Sequence, residues 1–468
     1  MTRSARLKSS KILSFLNPQT ISGLLILLGC IWMMPNGDFR DSSVFRHFWI
    51  GYGLLSVGYV LTWMIRQVGA VQFWAIAILC RVILLWMYPG NDIWRYLWEG
   101  LIQTHGFSPY HLAPTAQALA ELRTDWWPLI NHIDVSAIYP PLAQWGFRFL
   151  AAIAPSVLLF KAAFIAADLI ICYLLARRYG YRRTVDYAWN PLILYCIAGG
   201  GHYDSWFLLA LVAAWLSFDS GERSSQSDGA LTDNDGRSLW TYGWSAFWIG
   251  VSIAFKWISL PILVFIAWKG VRQGRWLVIP IVAVLGSLPM VLTSLAFCDG
   301  TACPLIPTSS VFVSHGRSAE LVPYLVRQVW DVSRWSNRLF ALPLALWVGW
   351  LMLRSRSFLQ FAEWYLFGVF VISPITHAWY FTWIVPFAVS SRNWGTRFLS
   401  ISAVVYFVLP YRESIGDRSW RLRDLERVLL WVPFLIGWGA QMILNRDWTR
   451  GRETALRTNS YILPRSDS

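Results

Sequence analysis

Charged side chains are scarce in this chain: Asp, Glu, Lys and Arg make up 14% of its 468 residues, where a soluble domain carries about a quarter. That shortage excludes an ordinary water-soluble fold. Six cysteines are spread along the sequence without Cys₄ or Cys₂His₂ spacing, which excludes a structural zinc module. There is no Gly-rich turn between a strand and a helix, so a nucleotide-sugar donor has no binding fold. No helix-turn-helix or RNA-binding signature accompanies the net charge of +14, and nucleic acid is not an expected partner. Nor is there an internal repeat, which weighs against transporters built from paired halves. The basic-then-apolar start, "MTRSARLKSSKILSFLNPQTISGLLILLGCIWMM", lacks a small-residue cleavage site. It therefore reads as a retained first span with the N-terminus in the cytoplasm.

Apolar residues are abundant instead, at 56%, with 31 Trp. Apolar runs near 20–34, 48–65, 70–87, 157–176, 185–199, 203–218, 241–256, 258–268, 276–297, 337–353, 361–372, 378–390, 397–410 and 428–444 approach the roughly 20-residue spanning length. A hydrocarbon core admits helices or closed barrels, so these runs predict an all-α integral membrane protein of about 12–14 transmembrane helices. The Trp content suits a belt at the membrane boundary. Basic clusters at Arg177–Arg183, Lys269–Arg275, Arg354–Arg356 and Arg392–Arg397 fall on the cytoplasmic side when helices are counted from the N-terminus. The loop 411–427 is also Arg-rich yet counts as outside, with acids beside its arginines to offset them. The chain reads as one polytopic domain over 1–468. Its large outer loop, 88–156, carries interfacial helices, and 219–238 is a flexible cytoplasmic linker. Cys298 and Cys303 sit in another outer loop, where an oxidising compartment permits a disulfide.

Four polar constellations interrupt the apolar pattern. "YPGNDIWRYLWEGLIQ" follows the third span, with an apolar stripe at helical spacing. Asp92 or Asn91 is a natural N-cap there; the Asp92 carboxylate is equally placed to act as a general base towards a hydroxyl. Glu99 stands i+4 from Arg95, the spacing of a helical ion pair. "GGGHYDSW" puts His202 and Asp204 at a Gly-rich helix start, suited to capping or to a phosphate or hydroxyl ligand. "FKWISLP" leaves Lys256 between two apolar runs, where it must snorkel or meet an anion such as a lipid phosphate. "SPITHAWYFTW" breaks a span at Pro374 and follows with His377, Trp379 and Tyr380. Helix parity places all four at the outer end of the bundle, as an active site or vestibule requires.

In order, "NDIWRYLWEGLIQTHGFSPYHLAP", "AIYPPLAQ", "YAWNPLILY", "GGGHYDSW", "FKWISLP" and "SPITHAWYFTWIVPF" resemble bacterial polytopic GT-C glycosyltransferases, in particular the mannosyltransferase-like members. The resemblance covers roughly 70–390. It implies a GT-C-like bundle in the plasma (inner) membrane and a sugar, mannose by family default, carried on polyprenyl phosphate. It also implies an active site at the outer face and a catalytic acid in the first large outer loop, which maps to Asp92. Asn91 stands where a second acid is common, and Glu99 where Asp is common. On this reading Asp92 deprotonates an acceptor hydroxyl of a glycan or glycolipid. Lys256, Arg95, His202 and His377 are the candidate phosphate groups; Glu99, Tyr110, Tyr139, Asp204, Trp379 and Tyr380 are candidates for the substrate pocket. The cofactor is open: a divalent metal is compatible with the chemistry but has no indicated ligands. A transporter or glycolipid flippase is the rival class, and a non-catalytic scaffold a second.

Overall fold

The computed structural model describes residues 17–227, 235–299, 303, 315–417 and 419–459, so the basic stretch through residue 16 and positions 228–234 of the polar segment lie outside the described residues. Helices joined by turns and irregular segments make up the described residues, which contain no strand. In chain order the helices are α1 (Pro18–Met33), α2 (Val44–Thr62), α3 (Ala70–Leu85), α4 (Asp92–Thr104), α5 (Pro141–Ile153), α6 (Val157–Tyr179), α7 (Tyr181–Ala188), α8 (Asp204–Ser227), α9 (Asp235–Phe255), α10 (Leu260–Arg272), α11 (Val278–Ser294), α12 (Val322–Val329), α13 (Ala341–Arg354), α14 (Phe358–Ile372), α15 (Val385–Ser391), α16 (Trp394–Ser402), α17 (Val408–Ser414) and α18 (Asp424–Asn459).

Each expected apolar run is helical. Pro18–Asn36, Val157–Tyr179, Val278–Phe297 and Asp424–Leu444 are long and apolar enough to cross a membrane; Ala70–Leu85 and Phe358–Ile372 are apolar but shorter. Several runs are broken, two of them beside the polar constellations. The run at 185–199 is divided by Asn190, whose side-chain oxygen accepts from the Leu192 and Ile193 amides, and ends in a π-helical turn over Leu194–Gly199. The run at 378–390 begins as a 3₁₀ turn over Ala378–Ile384. Such irregular turns inside helices recur where a fold presents functional groups. The polar segment 219–238 is helical on both flanks, α8 reaching Ser227 and α9 starting at Asp235.

With lipid outside, close helix contact relies on small residues rather than on exclusion of water. Gly29 lies against the Gly51 carbonyl on α2, and Ser22 donates to Gly58 O at 2.7 Å. A Cβ on Gly250 of α9 would fall 2.3 Å from the Gly286 carbonyl of α11. Large aliphatic side chains are exposed on these and other helices, among them Leu24, Leu28, Val284, Leu292, Leu346 and Ile436. That is the surface a bilayer covers.

The segment 88–156 builds a core of its own. Helices α4 and α5 touch so closely that a Cβ on Gly100 would meet the Phe147 carbonyl. Tyr96 stacks on Phe147 with centroids 4.8 Å apart and meets Tyr139 and Tyr203 edge-on. Arg95 ties the rest of the loop down. It pairs with Glu99 at 2.8 Å and donates to the carbonyls of Asn131, His132 and Val135. Two arginines of the 411–427 segment are paired. Arg412 bonds Glu426, and Arg427 reaches Glu320 at 3.4 Å.

The glycine contacts carry a prediction. Gly250→Ala forces backbone apart and should cost about 1–3 kcal/mol, the range for overpacking. Gly349→Ala, on a helix position with open space around it, should be neutral or slightly stabilising. Thermal unfolding in detergent checks both; equal midpoints for the two variants would contradict this packing.

Candidate active site

Helix α3 ends at Leu85 and the chain turns through Tyr88–Asn91 into α4. Beneath this turn Lys161 of α6, fully buried, donates to the carbonyls of Leu84 and Met87 at 2.8 and 2.7 Å. Its stem packs on Gly201, whose φ of +74° is the left-handed conformation that glycine alone adopts readily. From the other side, Gly90 N–H donates to Gly200 O at 2.9 Å. The turn before Asp92 and the glycine loop before His202 are therefore stitched together.

At that join Asp92 does not cap α4. Asn91 holds the cap position without a side-chain bond, and the Asp92 carboxylate turns to tertiary partners instead. Its Oδ1 accepts from Asn131 Nδ2 at 2.7 Å, while Oδ2 lies 3.5 Å from both the Tyr96 hydroxyl and His202 Nδ1. Burial pushes the carboxyl up, but the hydrogen bond and charge of His202, with the charge of His377 and the Asn131 amide, outweigh it and leave it at about 2. Asp92 is therefore a carboxylate at neutral pH. Of the three acids in this region its side chain is the most open, 17% exposed against 1% for Asp204 and 2% for Glu99.

The other segments complete the cluster. The imidazoles of His202 and His377 both stack on the Trp379 indole, with centroids at 4.2 and 4.5 Å and planes 16° and 1° apart. His377 Nδ1 lies 2.5 Å from the Tyr406 hydroxyl, with Ser318 beyond. Burial holds His377 down at about 3, against the opposing pull of Asp92, so it is neutral at pH 7.

Lys256 neither snorkels nor stands alone. Its ammonium donates to Asp204 Oδ1 at 2.7 Å, an atom that also accepts from Trp383 Nε1 at 2.6 Å. The rings of Tyr380 and Trp383 lie 4.9 and 4.7 Å from Nζ. Lysine carries three N–H donors, and the side chain is 18% exposed, so Lys256 retains donors for an incoming anion.

The structure thus brings together all four constellations and separates their members by exposure. Asp92 and Lys256 are open. Glu99 is sealed, its two oxygens taken by Arg95 and by Gln144 at 2.5 Å, and burial pushes its carboxyl up. Arg95 meets four protein acceptors and organises the turn that presents Asn131. Tyr110 donates to Tyr139 O at 2.7 Å, and both shape the loop core behind Asp92. The face of Trp379 is occupied by imidazoles. Sequence reasoning missed Asn131, Tyr406 and Lys161. The first two sit in unremarkable local sequence; Lys161, a lone charge inside an apolar run, was the detectable signal. Among the described residues no group of three or more His, Cys, Asp or Glu is arranged to hold a metal ion.

The model of the family MptA_B, described as "Alpha-(1->6)-mannopyranosyltransferase, N-terminal domain", matches residues 20–272. The match takes in more than half of the chain, including Asp92, Asn131, His202, Asp204 and Lys256. No curated protein and no solved structure matches it. The matched span and the helical membrane architecture agree: this chain belongs to the MptA_B mannosyltransferase family and is a membrane glycosyltransferase of GT-C type.

Proposed function

We propose that the enzyme transfers mannose from polyprenyl-phosphate mannose to a hydroxyl of a mannosyl glycan or glycolipid at the outer membrane face, with Asp92 as general base. The α-(1→6) linkage in the family's description supports a primary sugar hydroxyl as the acceptor. The observation that carries this reading is the contrast among the acids: Asp92 alone of the three combines exposure with an oxygen held only by long contacts.

In the reaction the acceptor oxygen attacks the anomeric carbon, the bond from that carbon to the phosphate oxygen breaks, and the acceptor proton passes to Asp92 Oδ2. Asn131 fixes the other oxygen and so the carboxylate plane. A carboxylate near 2 is a weak base, and catalysis is most effective when the base's pKa approaches the working pH. The negative phosphate of a bound donor raises it, as any like charge does. Lys256 is the exposed cation beside the site and supplies donors to the departing phosphate.

The outer-face assignment draws on the cysteines. The Cys298–Cys303 disulfide follows α11, whose Thr293 carbonyl accepts from Trp145, and the Phe297 ring beside the disulfide meets Tyr110. This loop is at the Asp92 end, and disulfides persist in oxidising compartments. The basic helix ends Arg177, Arg178, Lys269, Arg272 and Arg354 stand at the other end, where the positive-inside rule puts the cytoplasm.

Asp92→Asn keeps the shape and the Asn131 contact while removing the base. Transfer of mannose from polyprenyl-phosphate mannose to an α-mannoside in membranes should fall about 10²–10⁴-fold at unchanged protein level. Undiminished transfer would exclude Asp92 as the base.

His377 yields a pH prediction. Its folded-state value near 3 lies below the ordinary 6.5, so the unfolded chain takes up a proton that the folded protein refuses. Stability is therefore lost as pH falls below about 6.5. Between pH 7 and pH 5 the wild type should lose on the order of 1–2 kcal/mol more than His377→Asn, read from thermal unfolding. Parallel pH dependence in the two proteins would contradict a buried neutral imidazole.

A further inference from the structure

The end of the bundle away from Asp92 holds a recess of about 570 Å³ lined by Arg272, Arg354, Arg356, Gln360, Trp350 and Trp364, with Leu353 at its edge. Helix α10 starts four residues after Lys256 and runs thirteen residues to Arg272, roughly 20 Å along its axis, so the recess is remote from the candidate active site. Three guanidinium groups line it and no acidic side chain does. The nearby ammonium of Lys269 is already neutralised by Glu222 at 2.5 Å. Arg272 donates to Leu353 O at 3.3 Å, whereas the guanidinium groups of Arg354 and Arg356 have no protein acceptor among the described residues. Gln360 accepts from the Arg356 amide at 2.9 Å through its oxygen, which leaves its NH₂ as a further donor. The walls are apolar and open to the bilayer: Trp350 is 49% and Leu353 63% exposed.

Uncompensated arginines could serve only to orient the chain, for which scattered positions suffice. Here they converge on one concavity with indoles at its rim, and arginine is the side chain best matched to phosphate oxygens. We propose that this recess binds the phosphodiester headgroup of an anionic membrane lipid in the leaflet opposite the Asp92 site. The guanidinium groups of Arg354 and Arg356 would grip the phosphate, while Trp350 and Leu353 lie along the acyl chains.

The test uses the full-length protein in nanodiscs of phosphatidylcholine containing a minority of phosphatidylglycerol, with retained lipid counted by native mass spectrometry after extraction. The wild type should retain phosphatidylglycerol about tenfold more than R354Q/R356Q, while R177Q/R178Q, at the same end but outside the recess, should match the wild type. Inorganic phosphate at millimolar concentration should not displace the lipid. Equal retention by wild type and R354Q/R356Q would overturn the site. Full displacement by inorganic phosphate, or equal retention of phosphatidylcholine, would overturn the assignment to a lipid headgroup. Should R354Q/R356Q fail to accumulate, R354K/R356K keeps the charge and loses the bidentate fork; retention as strong as wild type in that variant would likewise count against the grip described.

Discussion

A charge enclosed by apolar helices must be paired or hydrogen-bonded, because the desolvation it suffers is otherwise uncompensated. That constraint organises this enzyme from end to end. Arg81 meets Asp168 at 2.5 Å, Arg397 meets Asp186 at 2.7 Å, and Arg95 meets Glu99 at 2.8 Å, each pair almost wholly buried. Lys161, without a carboxylate, is held by two carbonyls at the end of a helix. Against this background an acid that keeps an oxygen open is a departure. Asp92 is such an acid, and the groups around it serve to hold the departure in place: Asn131 on one oxygen, Arg95 behind Asn131, and the Gly90–Gly200 bond and Lys161 beneath the turn.

The same constraint explains why the site is assembled from distant segments. Each contributing turn lies where a helix ends or breaks, since only there does the backbone leave the hydrocarbon-compatible ladder and expose polar groups. The π turn before Gly200, the extended Lys256 between α9 and α10, and the break after α14 supply three edges, and α4 supplies the fourth. Their aromatic residues then fill the space between them, with Trp379 shared by two imidazoles and Tyr380 stacked on Trp383 at 4.3 Å. A cluster of polar groups walled by rings suits a sugar that must be held with little water around it.

Much of this is legible in the sequence. Apolar runs located the helices, because a bilayer imposes a length and a composition on them, and helix parity placed Asp92, His202, Lys256 and His377 at one end. Roles within the cluster were not legible. Whether Asp92 caps α4 depends on where its carboxylate finds a donor, and Asn131 lies 39 residues away in a loop without periodicity. That Lys256 is paired with Asp204, and that Glu99 is closed off by Gln144, are likewise tertiary facts invisible to spacing. The broken run at 185–199 looked like a plain span because Asn190 and the π turn leave the apolar count unchanged. The family match agrees with the order of motifs that no single motif established.

A structure of the enzyme with a non-transferable phosphonate analogue of polyprenyl-phosphate mannose would test the central claim most directly. The account predicts the phosphonate within hydrogen-bonding distance of Lys256 Nζ and the anomeric carbon facing Asp92, with space between them for an acceptor hydroxyl. A sugar bound elsewhere, or an Asp92 carboxylate shielded from it by protein, would contradict the assignment of this cluster as the site of mannosyl transfer.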